Sequence, residues 1–138
     1  MTRRLKKRTI LAAGAALLAF AGVLLAQAPG ITRTLVTKAD VSVPGREAVV
    51  ARVEVAAGGV AGWHTHPGDE ISYVMDGEAT LLVAGQPPRK VKAGEGFVIP
   101  AGVVHNAQND STAPIHLVGV YVVEKGKPLA TPASAPAQ

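Results

Sequence analysis

From residue 31 onward, apolar and polar positions alternate with a period of two. In 48–57, Val49, Ala51, Val53 and Val55 share one face while Arg52 and Glu54 share the other. That is the pattern of a half-buried strand with a solvent face. Similar short runs predict strands over 33–38, 63–66, 70–75, 79–84, 89–92, 96–99, 103–108 and 115–123. Breaker pairs punctuate them: Pro44-Gly45, Gly58-Gly59, Pro67-Gly68, Asp76-Gly77, Pro87-Pro88 and Pro100-Ala101-Gly102. Asp76-Gly77 lies between two apolar runs and predicts a tight hairpin there. No stretch after residue 30 has a helical period. Many short strands at this spacing predict an all-β sandwich or barrel.

The first 30 residues break the pattern. Ile10–Ala26 carries no polar side chain, and Arg3, Arg4, Lys6, Lys7 and Arg8 precede it. A basic start before an apolar core is the layout of an export signal. Ala26-Gln27-Ala28 offers small residues for cleavage, but Pro29 follows directly. Residues 1–28 are therefore expected to be a removed signal peptide or an uncleaved anchor. Seventeen helical residues, 10–26, would span about 26 Å, the short edge of a membrane crossing. This predicts an exported protein, periplasmic or secreted, that touches a membrane only through that segment. Lys125–Gln138 is small and Pro-rich, so 126–138 is expected to be a flexible tail. One domain over 31–125 remains.

The basic leader also explains the net charge of +4. From residue 27 onward there are nine basic and ten acidic residues. The domain shows no basic patch, which argues against nucleic acid as a partner. With no cysteine, disulfides, thiolate metal sites and a cysteine nucleophile are excluded.

Candidate chemistry lies in three histidines and a glutamate. His64 and His66 are two apart, so a strand projects both imidazoles from one face. Pro67-Gly68-Asp69 turns the chain, and Glu70 can swing toward the same point. His105 opens a later strand just beyond the Pro100-Ala101-Gly102 turn. Three imidazoles and a carboxylate suit one divalent transition ion: Fe, Mn, Co, Ni, Cu or Zn. On an octahedral ion they would leave two positions for water, dioxygen or substrate.

Two motifs frame these residues. Gly58, His64, His66, Glu70 and Gly77 fit G-x5-H-x-H-x3,4-E-x6-G, and Gly94, Pro100, Gly102, His105 and Asn109 fit G-x5-P-x-G-x2-H-x3-N. In both, the chain resembles the cupins. The resemblance covers about residues 45–123. It implies a double-stranded β-helix, or jelly-roll barrel, with a metal inside held by His64, His66, Glu70 and His105. Similar cupins with this ligand set include dioxygenases acting on enols and oxalate-oxidising germins. The resemblance thus implies an oxygenase or oxidase acting on a small oxygen-bearing substrate. Two alternatives stand beside it: a non-catalytic exported module that binds a small molecule or metal, and a non-redox metal-dependent isomerase or lyase. The last needs an acid or base near the metal. His116 and Tyr73, in strands, are the candidates for such a catalytic group. Tyr121 and Trp63 are expected to pack, Glu95 to be solvated and Asn109 to hydrogen-bond in a loop. A barrel of about 95 residues is marginally stable alone. Its first strand, Thr32–Lys38, has an edge that could pair with a neighbour, and cupins are often dimers, so a homodimer is expected.

Overall fold

Ten strands form two sheets that face each other, in a computed structural model that describes residues 30–137. The expected signal or anchor over 1–28 lies outside the described residues. The strands are β1 (Ile31–Asp40), β2 (Arg46–Val55), β3 (His64–Thr65), β4 (Gly68–Asp76), β5 (Glu78–Val83), β6 (Arg89–Lys92), β7 (Gly96–Ile99), β8 (His105–Gln108), β9 (Ile115–Glu124) and β10 (Thr131–Pro132). One sheet runs β1-β2-β9-β4-β7 and the other β10-β3-β8-β5-β6, with antiparallel pairing throughout. This is the jelly-roll barrel that the motifs imply. Alternation sets the core. Val49, Ala51, Val53 and Val55 of β2 and Ile115, Leu117, Tyr121 and Val123 of β9 point inward, against Val74, Ala79, Leu81, Val91 and Ile99.

Two expectations change. Asp76-Gly77 does not close a hairpin, because β4 pairs with β7 and β9 while β5 pairs with β6 and β8. The chain crosses there from one sheet to the other. Gly77 makes the crossing at φ +80°, with Ile115 so near that a Cβ would meet it at 3.0 Å. A sharp turn between two apolar runs reads the same whether the runs pair or part.

The stretch expected to be a flexible tail also packs. Thr131 and Pro132 pair with Thr65 and His64, and Ala133 N–H donates to the Trp63 carbonyl. Leu129 packs on the core. A segment of two strand residues has no period to read, so composition alone suggested a free tail.

Asn109 is buried where two loops meet. Its Nδ2 donates to the carbonyls of Val55, Ala56 and Ala113 at 3.1, 3.0 and 2.8 Å. Its Oδ1 accepts from Ser111 N and Oγ. The loop-bonding role expected of it is thus a clasp holding the end of β2 to the start of β9. Asn109→Ala would strand these carbonyls and is expected to cost about 2–3 kcal/mol. For a domain this size that lowers the melting temperature by roughly 10 °C or more. A loss under about 3 °C in a thermal melt would refute the clasp.

His116 lies on the outer side of β9. Its Nδ1 is 2.9 Å from Asp76 Oδ1 and its Nε2 is 3.4 Å from Glu54 Oε2. The hydrogen bond to Asp76 raises its pKa above the ordinary value, and Glu54 adds to this. A raised folded-state pKa gives stability below the ordinary histidine value that is lost as pH rises through the raised one. His116→Gln should therefore lower the melting temperature near pH 6, by about 1–4 °C for so exposed a group. It should change little near pH 9. Equal losses at both pH values would contradict this account.

Candidate metal centre

The sheets bring four ligand-type side chains to one point inside the barrel. His64 of β3 lies directly across from His105 of β8 in the antiparallel register. His66 follows on the same face, beyond Thr65. Glu70 comes from the opposite sheet, at an inward position of β4. All four are buried, and one donor atom from each lies within 4.8 Å of the others. Two donors bound at about 2.1 Å to one ion sit at most about 4.2 Å apart. A contraction of a few tenths of an ångström would close the site.

The hydrogen bonds behind the rings decide which nitrogens face inward. His64 Nδ1 donates to the Gly62 carbonyl at 2.7 Å, His66 Nδ1 to Leu129 at 2.6 Å and His105 Nδ1 to Val103 at 2.9 Å. A carbonyl only accepts, so each Nδ1 carries the proton. In its neutral form each ring then points an Nε2 lone pair into the barrel. This is the backing a metal-ligating histidine needs. His66 Nε2 is buried with no hydrogen-bond partner, although Glu70 Oε2 lies 2.9 Å away. His105 Nε2 is 3.2 Å from the same oxygen. A lone pair facing a carboxylate oxygen calls for a positive charge between them. A cation at the common focus supplies it, so the residues present fit a metal ion.

The protonation states agree. Burial pushes His64 down to about 4, against the raising effect of the Gly62 carbonyl, so its ring is neutral near pH 7. Burial alone would raise the Glu70 carboxyl, but hydrogen bonds from His105 and His66, with their charge, outweigh it and hold Glu70 well below the usual carboxylate range; a proton on these Nε2 atoms can stand where a cation would. Ser72 Oγ donates to Glu70 Oε1 at 2.7 Å and orients it.

Two candidate catalytic residues lie elsewhere. Tyr73 is 53% exposed on the outer face of β4, and His116 sits on the outer face of β9. Neither lines the cavity onto which His64, Glu70 and His105 open. Both faces of β9 are apolar, so its pattern left the facing of His116 open until pairing with β2 and β4 settled it. The same register turns Tyr121 inward. It is 1% exposed, with its ring centre 4.9 Å from that of His66. Burial, and then the Glu70 charge, raise its phenol above the ordinary value, so it stays protonated.

The sequence reading missed Arg33, which is 4% exposed and lines the same cavity. Its Nη2 donates to His64 Nε2 at 3.3 Å and its Nε to the Tyr121 hydroxyl at 3.4 Å. A signal was present: Arg33 shares the face of Ile31 and Leu35, opposite Thr32 and Thr34. The cavity measures about 30 Å³, and Val53, Val55, Leu81, Phe97 and Leu117 form apolar walls.

Comparison with known proteins places this geometry. Nectarin-1 of Nicotiana langsdorffii x Nicotiana sanderae is 34% identical over 110 residues, covering 67% of this chain and 46% of its own. A germin-like protein (subfamily 2 member 2) of Arabidopsis thaliana is 35% identical over 95 residues, covering 62% and 43%. The chain thus spans about half the length of these relatives. A double-stranded β-helix protein from Klebsiella pneumoniae superposes with a TM-score of 0.62 at 24% identity, over 80% of this chain and 91% of its own. Residues 51–132, more than half the chain, match the family model described as Cupin domain, and the chain belongs to the cupin family.

Proposed function

We propose that the protein is an exported, metal-dependent enzyme of the oxidase or oxygenase type, acting on a small oxygen-bearing organic molecule. The carrying observation is the set of three inward Nε2 lone pairs and one ionised carboxylate, closed in an apolar barrel. Bound there, a divalent transition ion would polarise a substrate oxygen and, if redox-active, exchange electrons with substrate and dioxygen. The chain's own residues do the rest. The backbone carbonyls hold the imidazoles in one tautomer. Ser72 orients Glu70, whose negative charge favours an ion that must tolerate a change of oxidation state. The apolar walls exclude bulk water. The family resemblance carried by the ligand set supports the redox reading, and the basic leader and apolar run of residues 1–28 support export.

Tyr121 supports a second reading, a non-redox lyase or isomerase. It puts a neutral hydroxyl beside the ligands, where Tyr73 and His116 put nothing. Metal content and oxygen uptake separate the two. His64→Ala or His105→Ala should cut metal occupancy at least tenfold, measured on purified protein. With Fe(II) or Mn(II) loaded, a screen of enols, diketones and phenols should show oxygen consumption that Zn(II) does not support. Turnover without oxygen that Zn(II) supports and Tyr121→Phe abolishes would favour the lyase reading. Full occupancy in both histidine variants would refute the metal centre.

The proposal includes a homodimer. On β4 the usual pattern is inverted, with Glu70 and Ser72 inward and Ile71, Tyr73 and Met75 exposed. Across the outer face, Val50, Val120, Ile71 and Val98 lie in one row through β2, β9, β4 and β7. Val98 is 61% exposed. Exposed Arg52 flanks the row on β2 and exposed Asp69 on β4. A two-fold axis lying in the interface at right angles to the line between them would place each copy's Arg52 over the other's Asp69. Wild type should run as a dimer in size-exclusion chromatography with light scattering. Val98→Lys combined with Tyr73→Lys should shift it to monomer with metal content kept. A monomeric wild type would end this part of the proposal.

A further inference from the structure

The sheet that carries His64 and His105 has a groove on its outer side that the metal centre does not use. It lies between the turn after β5 and the chain beyond β10 and measures about 520 Å³. Trp63, Leu82, Pro88 and Pro136 form its walls, with exposed Gln86 beside them. Sites that take one small molecule usually measure roughly 300–1,000 Å³. Among the described residues lining the groove, none is formally charged.

Alternation brings one polar side chain to this groove. His64 and His105 face the barrel interior, so Trp63 and Asn106, one step along each chain, turn to the outside. Leu82 lies directly across from Asn106. Asn106 thus sits between Trp63 and Leu82, two of the groove's lining residues. It is 4% exposed, and its Oδ1 is buried with no hydrogen-bond partner among the described residues. A buried acceptor left without a donor is costly, so it marks a place where a partner completes the structure. A leucine at this position would avoid that cost.

The lining indicates the partner's chemistry. Trp63 offers an aromatic face on which another ring stacks. With no countercharge in the groove, a charged ligand would give up its hydration without compensation. A sugar carries more hydroxyls than one buried acceptor and the Gln86 amide satisfy. The groove suits a flat, neutral, apolar molecule with one donor on its edge. The terminal torsion of an asparagine is soft, so Oδ1 turns to meet such a donor at little cost.

We infer that this groove is a second ligand site, and that it binds a small neutral aromatic molecule bearing one N–H or O–H. The ring stacks on Trp63, and its donor reaches Asn106 Oδ1. The site is independent of the metal centre, since none of His64, His66, Glu70 and His105 lines the groove.

The test uses the full chain and two probes, indole and benzothiophene, a bicycle of similar shape without the N–H. Equilibrium dialysis should show saturable binding of indole, one molecule per chain. Indole should bind about fivefold tighter than benzothiophene, the effect of one neutral hydrogen bond. Asn106→Leu should reverse that order, because a leucine favours the ring with no donor. Ala84→Trp, which fills the groove from the β5 side, should remove binding of both probes. No saturable binding of indole, or benzothiophene bound as tightly as indole in wild type, overturns the inference. So does an unchanged preference in Asn106→Leu, or indole binding that survives Ala84→Trp. If Asn106→Leu does not fold, the wild-type comparison and Ala84→Trp still decide the matter.

Discussion

Polar atoms turned into an apolar interior must be satisfied, and this requirement organises the molecule. Two imidazoles, a carboxylate and a guanidinium share one small cavity with valine, leucine and phenylalanine walls, and the His66 imidazole is buried beside them. Each of the imidazoles of His64, His66 and His105 donates a hydrogen bond from Nδ1–H to a backbone carbonyl. Those bonds leave the Nε2 lone pairs nowhere to go but inward. The cost of such an arrangement in a small barrel is several kcal/mol. A bound cation returns that cost as affinity, since it meets a site already oriented and desolvated.

The same bonds tie the site to distant parts of the chain. The carbonyl that holds His66 belongs to Leu129, sixty-three residues on. The C-terminal stretch thereby becomes a support of the candidate metal centre and not an appendage to the barrel. Pairing of β10 with β3 brings that carbonyl into place, and β3 carries His64. On the other side, the Asn109 clasp links β2 and β9, the strands that contribute Val53, Val55, Leu117 and Tyr121 to the walls. Truncating the tail and removing the clasp would both reach the site without touching a ligand.

The strands were legible because they follow a local rule, and the cluster of His64, His66, Glu70 and His105 because two spaced motifs carry it. A period of two fixes which neighbours share a face, and H-x-H in a strand puts two rings on one side. Legibility ended where facing depends on partners. β9 is apolar on both faces, so only its register with β2 and β4 assigns His116 outward and Tyr121 inward. Asp76-Gly77 has the chemistry of a hairpin, but the two runs it joins find other partners across the barrel. The supporting carbonyls were also out of reach, since backbone acceptors leave no mark in a sequence. Arg33 was different. Its alternation with Ile31 and Leu35 is there to read, although a lone arginine in a strand usually faces solvent.

The inverted strand β4 connects the cavity to the outer surface. Its inward positions carry Glu70 and Ser72, so the strand cannot anchor itself to the core through these positions as β2 does. Its apolar residues Ile71, Tyr73 and Met75 are left outside; Ile71 lies across from Val120 and Val98, and Tyr73 across from Val118. In the proposed dimer a second copy would cover this face and supply the apolar burial that the ligand side of the strand gives up. The position of Glu70 would then be stiffened from behind by the partner, as that of His66 is by Leu129. A strand that turns Glu70 and Ser72 inward gains from having its outer face packed, which is a physical reason for the candidate site and the proposed interface to share β4.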